Sequence, residues 1–174
     1  MANYYTKFSV IFSLETEAQV DFAIDLFEYL EFRDGASKDD KELPAITVES
    51  LKDIAQGEML TMFHEAFMDS DFRRGFELDR SSPKMLWLFA EENGEPWDAA
   101  VFIRYLLKYF QIKQAVTFEF AYTCSSMRPD GFGGGAYFVT ADELRWCNSG
   151  DWVVRQLEAF KVGPQKPKTQ PEQQ

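Results

Sequence analysis

The sequence predicts an α+β sandwich, a largely antiparallel sheet with helices mainly on one face. Three patterns predict it. Residues 116–123 alternate strictly: Val116, Phe118, Phe120 and Tyr122 share one side, and Thr117, Glu119, Ala121 and Thr123 the other. That is a strand with one buried face. Val20, Ile24, Phe27 and Leu30 recur at helical spacing behind Thr16 and Gln19, a residue pair that forms a capping box. Ala99, Phe102, Ile103, Leu106, Leu107 and Phe110 do the same behind Pro96, which suits a first helical turn.

In chain order, residues 7–14 (KFSVIFSL) read as a strand buried on much of both faces, because Ile11 opposes Phe8, Val10 and Phe12 in parity. A helix follows over 16–32. Its Asp21, Asp25 and Glu28 form an acidic stripe with no Lys or Arg partner inside the helix. A solvated face is the plain reading of that stripe, and a docking line for a basic surface is the sharper one. Residues 33–45 are polar and read as a loop. Short helices are expected over 47–56 and 58–68, the second filling core with Met59, Phe63 and Phe67. Residues 33–71 together read as a helical insertion. Residues 71–79 and 84–90 should form a hairpin, with Gly75 marking a bulge and Trp87 in the core. The helix at 96–111 follows, with Trp97 the tryptophan most exposed to a partner. After the strand at 115–124 come a connector, strands at 135–140 and 144–147, and a last helix started by Asn148 and Asp151. Trp146 and Trp152 are expected to pack together and anchor that helix. Residues 161–174 (KVGPQKPKTQPEQQ) read as a disordered Pro/Gln/Lys tail behind a single domain of 1–160. The first six elements have the order β-α-β-β-α-β of a ferredoxin-like core. The hairpin and final helix extend it, the helix lying beside the other two.

The chain has 174 residues, 45% apolar and 16% aromatic, enough for one domain with a real core. No apolar run reaches the roughly 18 residues of a membrane span, and no secretory signal is recognisable, so the expected compartment is the cytoplasm. Cys124 and Cys147 then read as reduced, buried thiols. The net charge is −11 and uneven. Residues 15–98 hold 22 acidic and 8 basic residues, a net of −14, and the remainder holds 7 and 10, a net of +3. Such a balance repels phosphate backbones and argues against direct nucleic-acid binding. It suits a protein partner with a basic surface, a cation, or plain solubility.

No motif carries a reaction. Gly133, Gly134 and Gly135 are followed by the strand pattern AYFV, where a phosphate loop needs Lys-Ser/Thr and a helix. The glycines read instead as places where another backbone or ring comes close. His64 is the only histidine and lacks the second His of a zinc-protease helix, so no catalytic residue, metal or cofactor is expected. Among the carboxylates, Glu119 is the one best placed to line a cleft, with a cross-strand pair to Arg73 or Arg74 as the plainer reading.

The stretch Phe132-Gly133-Gly134-Gly135-Ala136, with Thr140, Trp146, Asn148 and Trp152, resembles uncharacterised proteins encoded by phages and bacterial mobile elements. The resemblance spans about 116–152. It implies a phage-like setting and brings no activity or site residues. Three functional readings follow. The first is a non-catalytic protein-binding module, in its sharper form an anti-defence protein mimicking nucleic-acid charge. Its binding residues would be Asp21, Asp25, Glu28 and Trp97. The second is an enzyme or small-ligand binder with a cleft near Glu119 and the glycine strand. The third is an assembly role as a homo-oligomer.

Overall fold

A computed structural model of the chain describes residues 2–35, 51, 52, 54, 57–68, 72–129 and 131–162. In order these form β1 (Tyr4–Ser13), α1 (Glu17–Gly35), α2 (Gly57–Phe63, continued by a π-helical turn His64–Met68), β2 (Glu77–Ser82), β3 (Met85–Ala90), α3 (Pro96–Tyr109), β4 (Val116–Cys124), β5 (Gly133–Val139), β6 (Leu144–Asn148) and α4 (Ser149–Val162). The strands make one open sheet in the order β2-β3-β1-β4-β5-β6, antiparallel at every pairing. The chain is thus the α+β, antiparallel-sheet protein that its patterns predict. Most of the helix expected at 47–56 and residues 163–174 of the expected tail lie outside the described residues, while Lys161 and Val162 of that tail end α4.

Local chemistry starts the helices as the sequence indicates. The Gln19 backbone N–H donates to Thr16 Oγ1 at 3.3 Å, while Gln19 Oε1 accepts from the backbone N–H of Thr16 at 3.2 Å. This reciprocal box satisfies donors that the first turn of α1 leaves without helical partners. Val20, Ala23, Leu26 and Leu30 then face the core. One face of the sheet supplies Phe8, Val10 and Phe12 from β1, Leu86 and Leu88 from β3, Val116, Phe118 and Phe120 from β4, and Tyr137 and Val139 from β5. Between the helices lies an aromatic cluster. Phe67 meets Phe72 edge-on at 4.8 Å, and Phe76 meets Phe102 at 5.6 Å. Each such pair adds about 0.5–1.5 kcal/mol to what burial alone provides.

Several expectations are corrected. β1 is buried on one face only, with Ile11 54% exposed on the other. Trp87 is not core: it is half-buried on that outer face, stacked on Phe89 at 4.1 Å, with Nε1–H donating to Ser9 Oγ at 2.8 Å. The strand expected from residue 71 begins at Glu77. Residues 72–75 are a loop because Arg74 takes φ 55°, which ends an extended run, and because Asp98 pulls the loop onto α3. The backbone N–H groups of Arg73 and Gly75 both donate to Asp98 Oδ2, at 3.1 and 2.9 Å, and Asp98 is fully buried. Cys147 is exposed rather than buried, and Cys124 is half-buried. Finally, α4 makes its main contacts with β5 and β6 and does not lie beside α1 and α3.

Candidate functional site

The sheet edge formed by β5, β6 and α4 carries the least explained surface. Glycines bring these elements together. A Cβ on Gly134 would overlap the carbonyl oxygen of Phe120, and one on Gly135 would overlap the carbonyl oxygen of Cys147 and the Phe120 ring. Any side chain there would push β5 off β4 or β6, so the triple glycine is packing chemistry. At Asn148 the chain turns directly from strand to helix. The Asp151 N–H donates to Asn148 Oδ1 at 2.7 Å, and Asn148 Nδ2 donates to Asp151 Oδ2 at 2.9 Å, a capping arrangement. The Gly134 N–H donates to Ser149 Oγ at 3.2 Å and ties the helix start to β5.

Beyond that cap, α4 is bare. Every side chain from Ser149 to Lys161 is exposed, although Trp152, Val153, Leu157 and Phe160 form one apolar stripe. Trp152 is 59% exposed and Phe160 84%. Trp146 is 52% exposed, so the expected Trp146–Trp152 anchor is not formed. Phe132, also exposed, borders a groove of about 660 Å³ together with Gly133, Gly135, Asn148, Trp152 and Arg155. Neither Glu119 nor His64 lines it.

The residues singled out from sequence do not converge. On α1, Asp21 and Glu17 are ion-paired to Arg80 of β2, the latter at 3.2 Å, and Glu31 pairs with Arg74 at 3.0 Å. Of the stripe itself, Asp21 thus finds a basic partner across the fold. Asp25 is half-buried and Glu28 exposed. Glu119 stands on the open outer face opposite Ala136 in the ladder, and Arg74, one of its two expected partners, is engaged with Glu31. Trp97, expected to be the most exposed tryptophan, is 39% exposed, less than Trp146 and Trp152, and lies elsewhere again. It borders a cleft of about 170 Å³ between α2, α3 and β6, with Met62, Ala66, Val101, Tyr105 and Leu144. Glu65, Arg104 and Lys108 stand at the same cleft, and Arg104 Nη2 donates to the carbonyl of Asp142 at 3.3 Å. The Tyr105 hydroxyl is buried with no hydrogen-bond partner among the described residues, and burial, with the neighbouring Tyr109, pushes its pKa upward.

From the sequence, the last helix is expected to be anchored by a Trp146–Trp152 contact and to lie beside the other two helices. The amphipathic pattern was a sound signal for a helix; nothing in it says what covers the apolar side. Among the described residues no group of three or more His, Cys, Asp or Glu could hold a metal, and no helix is long and apolar enough to cross a membrane. No family model, curated protein or solved structure matches the chain.

Proposed function

We propose that this chain is a non-catalytic protein-binding module that docks through the β6–α4 edge. One observation carries the reading: a capped, 14-residue amphipathic helix whose apolar stripe is exposed along its whole length. A helix of that length is marginal in water by itself, and most helical stability in proteins comes from packing of the apolar side. A contiguous apolar patch rimmed by charge is also the mark of an interaction surface. The strand order β2-β3-β1-β4 and its antiparallel pairing support a ferredoxin-like core as scaffold, with β5, β6 and α4 as the added docking unit. The resemblance of the 116–152 stretch to phage and mobile-element proteins would set the module in the cytoplasm of a bacterial cell.

The charge-mimic version, with its basic partner, rests on the net −14 of residues 15–98. It is the weaker form, because carboxylates of α1 are already held by Arg80 and Arg74. Affinity capture on immobilised protein at low and high salt separates the two forms. Apolar docking predicts a partner retained at 0.5 M salt and lost with the Leu157→Asp/Phe160→Asp variant. A charge mimic predicts the reverse. Retention of no protein at either salt, a second copy of the chain included, would sink the proposal. A second reading, small-ligand binding, draws on the Trp97 cleft and its buried Tyr105 hydroxyl rather than on Glu119.

A further inference from the structure

The exposed stripe of α4 needs an occupant, and its charge and area bear on which. We infer that the occupant is a second copy of this chain, with two α4 helices packed antiparallel about a two-fold axis. The inference rests on the docking proposal above and names its partner.

Charge comes first. The chain carries −11, yet residues 143–162 hold three acidic residues (Glu143, Asp151, Glu158) and three basic ones (Arg145, Arg155, Lys161). This edge is neutral on a strongly acidic molecule. Two copies meeting through α1 or the outer end of β2 would bring like charges together, a penalty of several kcal/mol in general. Meeting through α4, they avoid it. A partner selected by a basic surface would need acidic residues around the stripe, and the edge offers no excess of them.

Area comes second. Exposed aromatic residues present roughly 150–250 Å² each when bare, so Phe132, Trp152 and Phe160 with Val153 and Leu157, each about half to four-fifths exposed, offer on the order of 600 Å². That reaches the low end of one partner's share of a standard stable interface, roughly 600–1,000 Å².

Geometry comes third. Trp152 and Phe160 are eight residues apart, about 12 Å along a helix. Antiparallel packing therefore sets Phe160 of each chain beside Trp152 and the Phe132–glycine groove of the other, with Val153 and Leu157 between them. Both ends of the stripe are filled by the same operation, as a two-fold interface requires.

Sedimentation equilibrium of the full chain from 1 to 100 μM tests this. The expected result is a species of twice the 20.2 kDa chain mass. Because the stripe is apolar, its association constant should change less than about threefold between 0.05 and 0.5 M salt. Leu157→Asp/Phe160→Asp should weaken association at least about a hundredfold, as loss of central anchors does. Dilution of the unaltered protein gives a second readout independent of any variant: Trp152 fluorescence should shift to the red as the dimer separates. A monomer at 100 μM overturns the inference, as does a dimer that the double substitution leaves intact. If the chain is monomeric yet captures another protein through α4, self-pairing is refuted while the docking proposal stands. If neither event depends on α4, both fail.

Discussion

Asp98 is the single buried charge among the described residues, and replacing it with alanine is the sharpest test of how the 72–76 loop is held. Its Oδ2 accepts two backbone N–H groups, from Arg73 at 3.1 Å and Gly75 at 2.9 Å. The carboxylate also lies in the first turn of α3, where negative charge meets the positive end of the helix dipole. Hydrogen bonds to a charged acceptor contribute about 1.5–3 kcal/mol each. The two donors are only part-buried and water reaches them once the carboxylate is gone, so the lower end applies. Asp98→Ala should therefore cost about 3 kcal/mol, or roughly 6–12 °C in Tm for a domain of this size. Asp98→Asn keeps an oxygen in place and loses the charge, so it should cost about half as much. Urea denaturation at pH 7 measures both, and amide exchange at Arg73 and Gly75 reports whether the loop itself has loosened. An alanine variant within 1 kcal/mol of the parent would refute the reasoning, since the loop would then be held by Phe72 and Phe76 alone.

Three further outcomes follow from the same contacts. Gly135→Ala should cost about 1–3 kcal/mol in urea denaturation, because its Cβ meets the Cys147 carbonyl and the Phe120 ring at once and neither can retreat without breaking a ladder. Arg80→Ala should change stability by less than about 1 kcal/mol despite removing ion pairs to Glu17 and Asp21, since both carboxylates are well exposed and Arg80 lies at the surface. Burial, helped by Tyr122, Glu95 and Asp98, pushes the Tyr137 hydroxyl up to about 12. The unfolded chain loses that proton near pH 10 and the folded chain holds it, so stability is complete below about pH 10 and falls as pH rises toward 12. Tyr137→Phe should make melts between pH 9 and 11 less steeply pH-dependent; an unchanged slope would refute the assignment.

What was legible in the sequence was local. The Thr16–Gln19 box and the Asn148–Asp151 cap need only residues three apart, and both form. The parity of residues 116–120 was legible because one side is polar throughout. Parity failed where both sides are apolar. The run MLWLFA does not reveal whether Trp87 or its neighbours Leu86 and Leu88 face the helices, since every residue in it suits either face. Residues 72–76 misled for a different reason. Phe72 and Phe76 share strand parity, but both feed the aromatic cluster between the helices, and a carboxylate 23 residues downstream of Gly75 fixes the backbone between them. No local pattern carries that information.

The same limit explains why the candidate site was the least legible part. Periodicity identifies an apolar face from spacing, and burial is then assumed because exposure is costly. For α3 the assumption holds: Phe102, Ile103 and Leu106 are fully buried. For α4 it fails, with an equally regular pattern and Phe160 84% exposed. The difference is positional. α3 runs between strands that pair with β1 and must lie against the sheet, whereas α4 follows the edge strand β6 and meets the sheet mainly through β6 and the glycine-lined start of β5. Glycines offer no apolar side chains to receive a stripe, so the sheet end that lets β5 pack tightly leaves α4 uncovered. A polar substitution on the stripe should then cost the isolated fold almost nothing, whereas the same change on α3 should cost about 3–5 kcal/mol, the usual loss for a buried Phe→Ala such as Phe102→Ala. If Leu157→Asp/Phe160→Asp lowered monomer stability by a comparable amount, the stripe would be core after all, and the β6–α4 edge would lose its claim as the docking surface.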